Sequence, residues 1–230
     1  MLVYGKNVAL EYLNSNKKIY NAYIQEGFSD KELLSKIKNK NINYKILSKY
    51  DINKKASGLN QGIVLEVEDY KYYDLGDIIG NDDSIIIMLD HITDPHNLGA
   101  IIRTCEAAGV DGIIIPKDRS VEVNQTVIKT SVGTTENVKI VMVANLNRTI
   151  EQLKNNGYWI YGTDMVGTNY TELDYKGKIC IVCGNEGEGL SRLVKDNCDF
   201  IASIPMKGKV NSLNASVATA IVLFEALKQR

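Results

Sequence analysis

The chain has 230 residues, 44% hydrophobic and 24% charged, with a formal net charge of -1. That composition is ordinary for a soluble globular protein, and near-neutrality by itself argues against strong nonspecific nucleic-acid binding; no DNA partner is expected. Its longest apolar runs, Ser84 to Leu89 and Gly112 to Ile115, are far too short to span a membrane, and Met1-Leu-Val-Tyr-Gly-Lys is no signal peptide, so the expected location is cytoplasmic.

Up to Asp69 the pattern alternates. Helices are expected at Asn7 to Leu13, Asp30 to Asn39 and Lys49 to Ser57, and strands at Ile19 to Gln25, Ile42 to Leu47 and Gln61 to Val67. This predicts a small α/β domain over residues 1–69. It is the basic part of the chain, with 11 Lys and 8 Asp or Glu, against 16 basic and 20 acidic residues in the remainder. Ten of those Lys lie between Lys17 and Lys55, which fits phosphate contact but equally a solvated surface. Residues 70–83, rich in Tyr, Asp and Gly without a period, read as a linker that lets the two parts move independently.

From Ser84 a second alternation runs to the end. Strands are expected at Ser84–Asp90, Gly112–Pro116, Val138–Val143, Tyr158–Thr163, Lys178–Gly184 and Phe200–Ile204. Helices are expected at Asn97–Gly109, Val121–Thr130, Asn147–Asn156, briefly from Leu190, and at Ser212–Lys228. Strands that are apolar throughout, separated by helices, predict a parallel sheet covered on both faces, with ligands beyond the strands' C-terminal ends. Cys180 and Cys183 lie three apart on one predicted strand and so point to opposite faces. They are expected as buried free thiols, and no metal site is expected.

Three loops carry the polar residues. In the first, Leu89-Asp-His-Ile-Thr-Asp-Pro-His-Asn-Leu-Gly, a strand ends at Asp90 and Asn97 is a candidate N-cap. Arg103, a little under two turns later, is expected on roughly the face of Asn97, suited to gripping a phosphate. In the second, Gly184-Asn-Glu-Gly-Glu-Gly-Leu, the glycines are spaced three then two, unlike the dinucleotide fingerprint. The carboxylates Glu186 and Glu188 suit a cationic or hydroxyl-bearing ligand better than a pyrophosphate. The third runs from Ile204-Pro-Met through Lys207 to Asn214, with Ser212 and Asn214 as candidate N-caps of the last helix. It reads as a ligand loop feeding a helix, or simply as a capped helix.

In this order the three loops resemble the SpoU/TrmH-type RNA ribose 2′-O-methyltransferases of the SPOUT superfamily, and the resemblance covers Ser84 to Arg230. The segments Tyr4-Gly-Lys-Asn-Val and Gly58-Leu-Asn-Gln-Gly-Ile-Val resemble the L30e-like substrate-binding domain that often precedes that fold. The resemblance implies an α/β protein with a parallel SPOUT sheet, a C-terminal trefoil knot and a homodimer that completes the active site. It implies S-adenosylmethionine held by Gly184, Ile204, Met206, Leu213 and Asn214, with Arg103 as the catalytic residue and Asn97, Glu186, Ser212 and Asn214 around it. The implied substrate is structured RNA, first of all a guanosine of 23S ribosomal RNA. Transfer RNA, a base nitrogen, and a catalytically silent RNA-binding protein are the other readings. Asn185, where relatives often carry Ser or Ala, is expected to have no consequence. Family accounts make the Arg the base, yet a guanidinium is essentially never deprotonated in proteins. A fixed cation at Arg103, with Glu186 or a water taking the proton, is the preferred assignment.

Overall fold

Strands β5 (Ile85–Asp90), β6 (Gly112–Pro116) and β9 (Ile179–Gly184) are buried almost throughout, as an all-apolar pattern requires of a sheet covered on both faces. With β7 (Ile140–Val143), β8 (Trp159–Asn169) and β10 (Phe200–Ser203) they form one parallel sheet in the order β10-β8-β9-β5-β6-β7. These are the strands the sequence predicts. The computed structural model describes residues 1–56, 59–210 and 212–230. Ser57 and Gly58, which end a predicted helix and open the Gly58-Leu-Asn-Gln motif, lie outside the described residues, as does Asn211 of the third loop.

The chain divides into two compact units, residues 1–71 with 123–136 and residues 72–122 with 137–230. In the first, β1 (Leu2–Tyr4), which the sequence pattern missed, pairs antiparallel with β4 (Ile63–Val67). β4 pairs antiparallel with β2 (Ile19–Gln25), and β2 pairs parallel with β3 (Tyr44–Leu47) at the edge. α1 (Lys6–Asn14), α2 (Lys31–Asn39) and α3 (Lys49–Lys55) pack on it, with Asp30 and Ser48 capping the last two through their side chains.

Two expectations about domain limits meet a different arrangement. Residues 123–136 belong to the first unit although they lie more than fifty residues downstream of it. Their helix α5 (Gln125–Thr130) buries Val127 and Ile128, and Lys17 pairs with Glu136 at 3.1 Å. It starts at Gln125, not Val121, because Asn124 accepts from the amides of Thr126 and Val127. Nor is 70–83 a free tether. Tyr73 bridges to Val141, a short 3₁₀ turn spans Leu75–Asp77, and Ile78 is buried against Gly112. A Cβ on Gly112 would lie 2.4 Å from the Ile78 side chain, so the glycine makes the room.

In the second unit, α4 (Pro95–Ala108) starts two residues before Asn97, because Asp94 is its N-cap and Pro95 sits at its first position. Then come α6 (Leu146–Asn155), α7 (Arg192–Asp196) and α8 (Ala215–Lys228), which packs on α4. β8 runs six residues beyond its predicted end. Its register with β10 jumps there, Ile201 facing Gly162 and Ala202 facing Thr168, so that residues 163–167 bulge. Among the described residues no helix is long and apolar enough to cross a membrane.

Candidate functional site

The C-terminal ends of β9 and β10 and the bulge in β8 border a cleft of about 700 Å³, on the side where doubly covered parallel sheets place ligands. Each wall follows from local chemistry. After β9 the chain turns through a tight hairpin in which Asn185 and Gly189 exchange backbone bonds of 2.8 and 3.0 Å. Gly184 is packed so closely that a Cβ would sit 2.3 Å from the Gly189 carbonyl carbon. Asn185 donates to the His91 carbonyl at 3.0 Å and accepts from the Gly187 amide at 2.9 Å. The Asn185 side chain thus ties the second loop to the first, a contact the sequence pattern did not indicate. Asp90, buried at the end of β5, accepts from the Ser191 amide at 2.6 Å and fixes the far side of the same turn.

The opposite wall comes from the segment after β10, where Ile204, Met206, Val210, Ser212 and Leu213 line the cleft. With Gly184, this brings together four of the five residues expected to hold a cofactor. Asn214, the fifth, is the N-cap of α8 and accepts from the Ser216 amide at 3.0 Å. Ser212 caps nothing, because α8 begins only at Ala215. Cys183 also lines the cleft. Burial pushes its thiol up to about 11, against the opposing hydrogen bonds from Thr219 and Thr163. It stays protonated at neutral pH and is a poor nucleophile.

Asn97, Glu186 and Asn214, one from each loop, meet in a single cluster. Oε1 of Glu186 accepts from Asn97 Nδ2 at 2.8 Å, from Asn214 Nδ2 at 2.5 Å and from the Ala215 amide at 3.3 Å. Asn214 Nδ2 also donates to Asn97 Oδ1 at 2.8 Å. Asn97 is 5% exposed, so burial of this amide is offset inside the fold by two partners. The network joins three segments far apart in sequence at the N-terminus of α8, where helix amides favour a carboxylate.

Arg103 does not join them. Six residues along a helix is a rotation of about 600°, which leaves it about 120° away from Asn97. Asn97 faces the core, whereas Arg103 is exposed and forms no ion pair among the described residues. The same-face expectation is corrected accordingly. Sequence reading also passed over Thr163, Asp164 and Met165, which the β8 bulge carries into the cleft. The two glycines bracketing them, Gly162 and Gly167, were the available signal. A Cβ on Gly167 would lie 2.4 Å from the Ile201 carbonyl oxygen.

A parallel α/β unit whose loops converge in this way is a ligand-binding domain with its polar chemistry at the strand ends. The chain belongs to the SpoU rRNA methylase family, whose model matches residues 84–224, and a second family model, described as RNA 2′-O ribose methyltransferase substrate binding, matches residues 2–73. It is thus an RNA methyltransferase of the SpoU/TrmH type. A Staphylococcus aureus protein named for the TrmH family of tRNA/rRNA methyltransferases is 40% identical over 238 residues, covering 100% of this chain and 96% of the relative. YacO of Bacillus subtilis, named for the same family, is 37% identical, covering 99% and 95%. Among solved structures, the AdoMet-bound rRNA methyltransferase of Sinorhizobium meliloti superposes with a TM-score of 0.85 at 26% identity, covering 99% of this chain and 86% of that one. The SpoU methyltransferase AviRb of Streptomyces viridochromogenes shares the fold, with a TM-score of 0.87 at 24% identity, covering 100% and 90%.

Proposed function

We propose that the protein transfers a methyl group from S-adenosylmethionine to the 2′-hydroxyl of a ribose in structured RNA, with a guanosine of 23S ribosomal RNA as the leading target. The observation that carries this reading is the Asn97–Glu186–Asn214 cluster, set where three loops meet beside the cleft. The cleft fits the cofactor. An apolar wall (Ile204, Met206, Leu213) faces a glycine-rich hairpin whose close packing at Gly184 leaves backbone at the surface, and the carboxylates around it suit a cation. Transfer RNA is the second target reading, since the relatives' shared name covers both RNAs.

S-adenosylmethionine supplies a methyl already activated by its sulfonium. What remains for the protein is alignment and removal of the hydroxyl proton. Three donors converge on Oε1 of Glu186 and hold the carboxylate in place, which leaves Oε2 to take the proton, directly or through a water. Arg103 stays a cation, holds the phosphate next to the target ribose and stabilises charge developing on the oxygen. Because it faces away from its own chain's cluster, it acts on the site of a second copy. An apolar stripe on α8 supports such a homodimer, with Val217 and Phe224 exposed and Ile221 between them. In this reading the segment after β9 threads as the trefoil knot of the SPOUT fold, and Lys side chains of the first unit hold the RNA.

The direct test is tritium transfer from labelled S-adenosylmethionine into bulk RNA, followed by alkaline hydrolysis. A 2′-O-methyl blocks cleavage, so label should appear in alkali-stable dinucleotides. Label in mononucleotides would move the reaction to a base. Mapping 2′-O-methylation in cells lacking the gene separates 23S ribosomal from transfer RNA.

A further inference from the structure

The bulge in β8 puts a charge pair at the edge of the cleft that no part of the reaction above uses. Asp164 lines the cleft, and its Oδ2 pairs with Nζ of Lys195, on α7, at 2.9 Å. Its Oδ1 accepts from the Val166 amide at 3.2 Å. The carboxylate also lies beside the second loop, 4.0 Å from where a Cβ on Gly189 would stand. Burial works against its charge, but the bond from Lys195 and the amides of Val166 and Met165 outweigh it and hold the carboxyl below its usual range. The Asp164 side chain is 18% exposed and the Lys195 side chain 39%, so neither is sealed from solvent; Asp164 lines the cleft and Lys195 stands behind it at the rim.

Elsewhere the cleft is lined by two further carboxylates, Glu186 and Glu188, and by no cation among the described residues. The wall after β10 is mostly apolar, and one oxygen of Glu186 is already shared by three donors. Asp164 with Lys195 presents an anion and a cation side by side, the complement of an ammonium and a carboxylate carried on one carbon. A zwitterion entering a partly buried site is favoured only if both of its charges are met there.

We propose that Asp164 and Lys195 form the seat for the amino-acid end of the cofactor, Asp164 receiving its ammonium and Lys195 its carboxylate. This rests on the reading of the cleft as an adenosyl-cofactor site. The alternative role for the pair is a simple tie between α7 and β8, which is worth little at such exposure and would not distinguish one ligand from another.

The test compares two ligands by calorimetry on the full-length protein. S-adenosylhomocysteine carries the amino-acid end, and 5′-methylthioadenosine has the same adenosine and thioether without it. Wild-type protein should prefer S-adenosylhomocysteine by tenfold or more. Asp164→Asn and Lys195→Gln should each lower its affinity about tenfold and change that for 5′-methylthioadenosine by less than twofold. Equal losses for both ligands, or no loss for either, overturn the proposal while leaving the cofactor site standing. Wild-type protein that binds neither ligand overturns the cofactor reading itself. Melting curves identify a variant that does not fold, and the other variant then carries the comparison.

Discussion

The two units use their sheets in opposite ways. The sheet of the second unit is parallel and buried on both faces, and its polar residues gather in loops at one end of the strands. The sheet of the first unit is mixed, and its edge strand β3 leaves Tyr44, Lys45 and Ile46 open to solvent. In the second, residues from three loops are locked together by hydrogen bonds within a few ångströms. In the first, Lys38, Lys45 and Lys49 are exposed and make no ion pair with a described residue. Chemistry at a single atom requires geometry prepared in advance, whereas holding a polyanion requires only charges that can adjust to it.

The sharpest way to break this contrast is to disturb the packed unit at its tightest point. Gly184→Ala should lower S-adenosylhomocysteine affinity at least a hundredfold and cost about 1–3 kcal/mol of stability, because the added methyl meets backbone that cannot yield. Calorimetry and denaturant melts read the two effects, and near-normal binding would mean that the hairpin is not rigid.

Arg103→Ala should abolish measurable methyl transfer and leave S-adenosylhomocysteine affinity within about twofold, since Arg103 lies outside the cleft-lining set. Turnover retained within about tenfold, some 1.4 kcal/mol of barrier, removes the assignment. Glu186→Gln keeps an oxygen for the three donors but loses the carboxylate. It should slow transfer about a hundredfold with cofactor binding little changed. A near-wild-type rate moves the base elsewhere.

The exposed unit should respond by degrees. Replacing Lys38, Lys45 and Lys49 together with Gln should weaken binding of 23S ribosomal RNA several-fold. It should also flatten the salt dependence by roughly 0.7–0.9 in log–log slope for each phosphate no longer neutralised. An unchanged slope would reduce this basic face to a solvated surface. Substitution in the full chain is the right test, because a fragment starting at residue 84 would strip the cover from Val127 and Ile128.

The smallest effect concerns acid. A carboxyl held low in the folded state contributes stability above its unfolded value, about 3.9, and loses it as pH falls through the lower folded value. The stability gap between wild type and Asp164→Asn should therefore be constant above about pH 4 and shrink below it. A gap that widens on acidification contradicts the assignment of the charge.

Much of this is legible in the sequence alone. Strand positions in the second half follow from short all-apolar runs, because burial on both faces leaves no other pattern. The three loops stand out because polar and glycine residues interrupt those runs at strand ends. Asn214 stands out as a helix-capping residue and Glu186 as a carboxylate in a glycine turn; Asn97 reads as an N-cap, a place Asp94 takes instead, and its grouping with the other two is implied only by the family resemblance.

What the sequence determined by itself is the local part: the class of the fold, the loops that hold the polar groups, and the membership of residues in strands. Only the tertiary structure decided which side chains meet. It turned Arg103 away from Asn97, drew residues 123–136 onto the first unit, packed Ile78 under Gly112, and pushed Asp164 into the cleft by a register jump between two parallel strands. The physical reason is the same in each case. Periodicity and propensity report interactions between residues a few positions apart, while these arrangements are set by partners tens of residues away, whose packing leaves no mark on the local pattern.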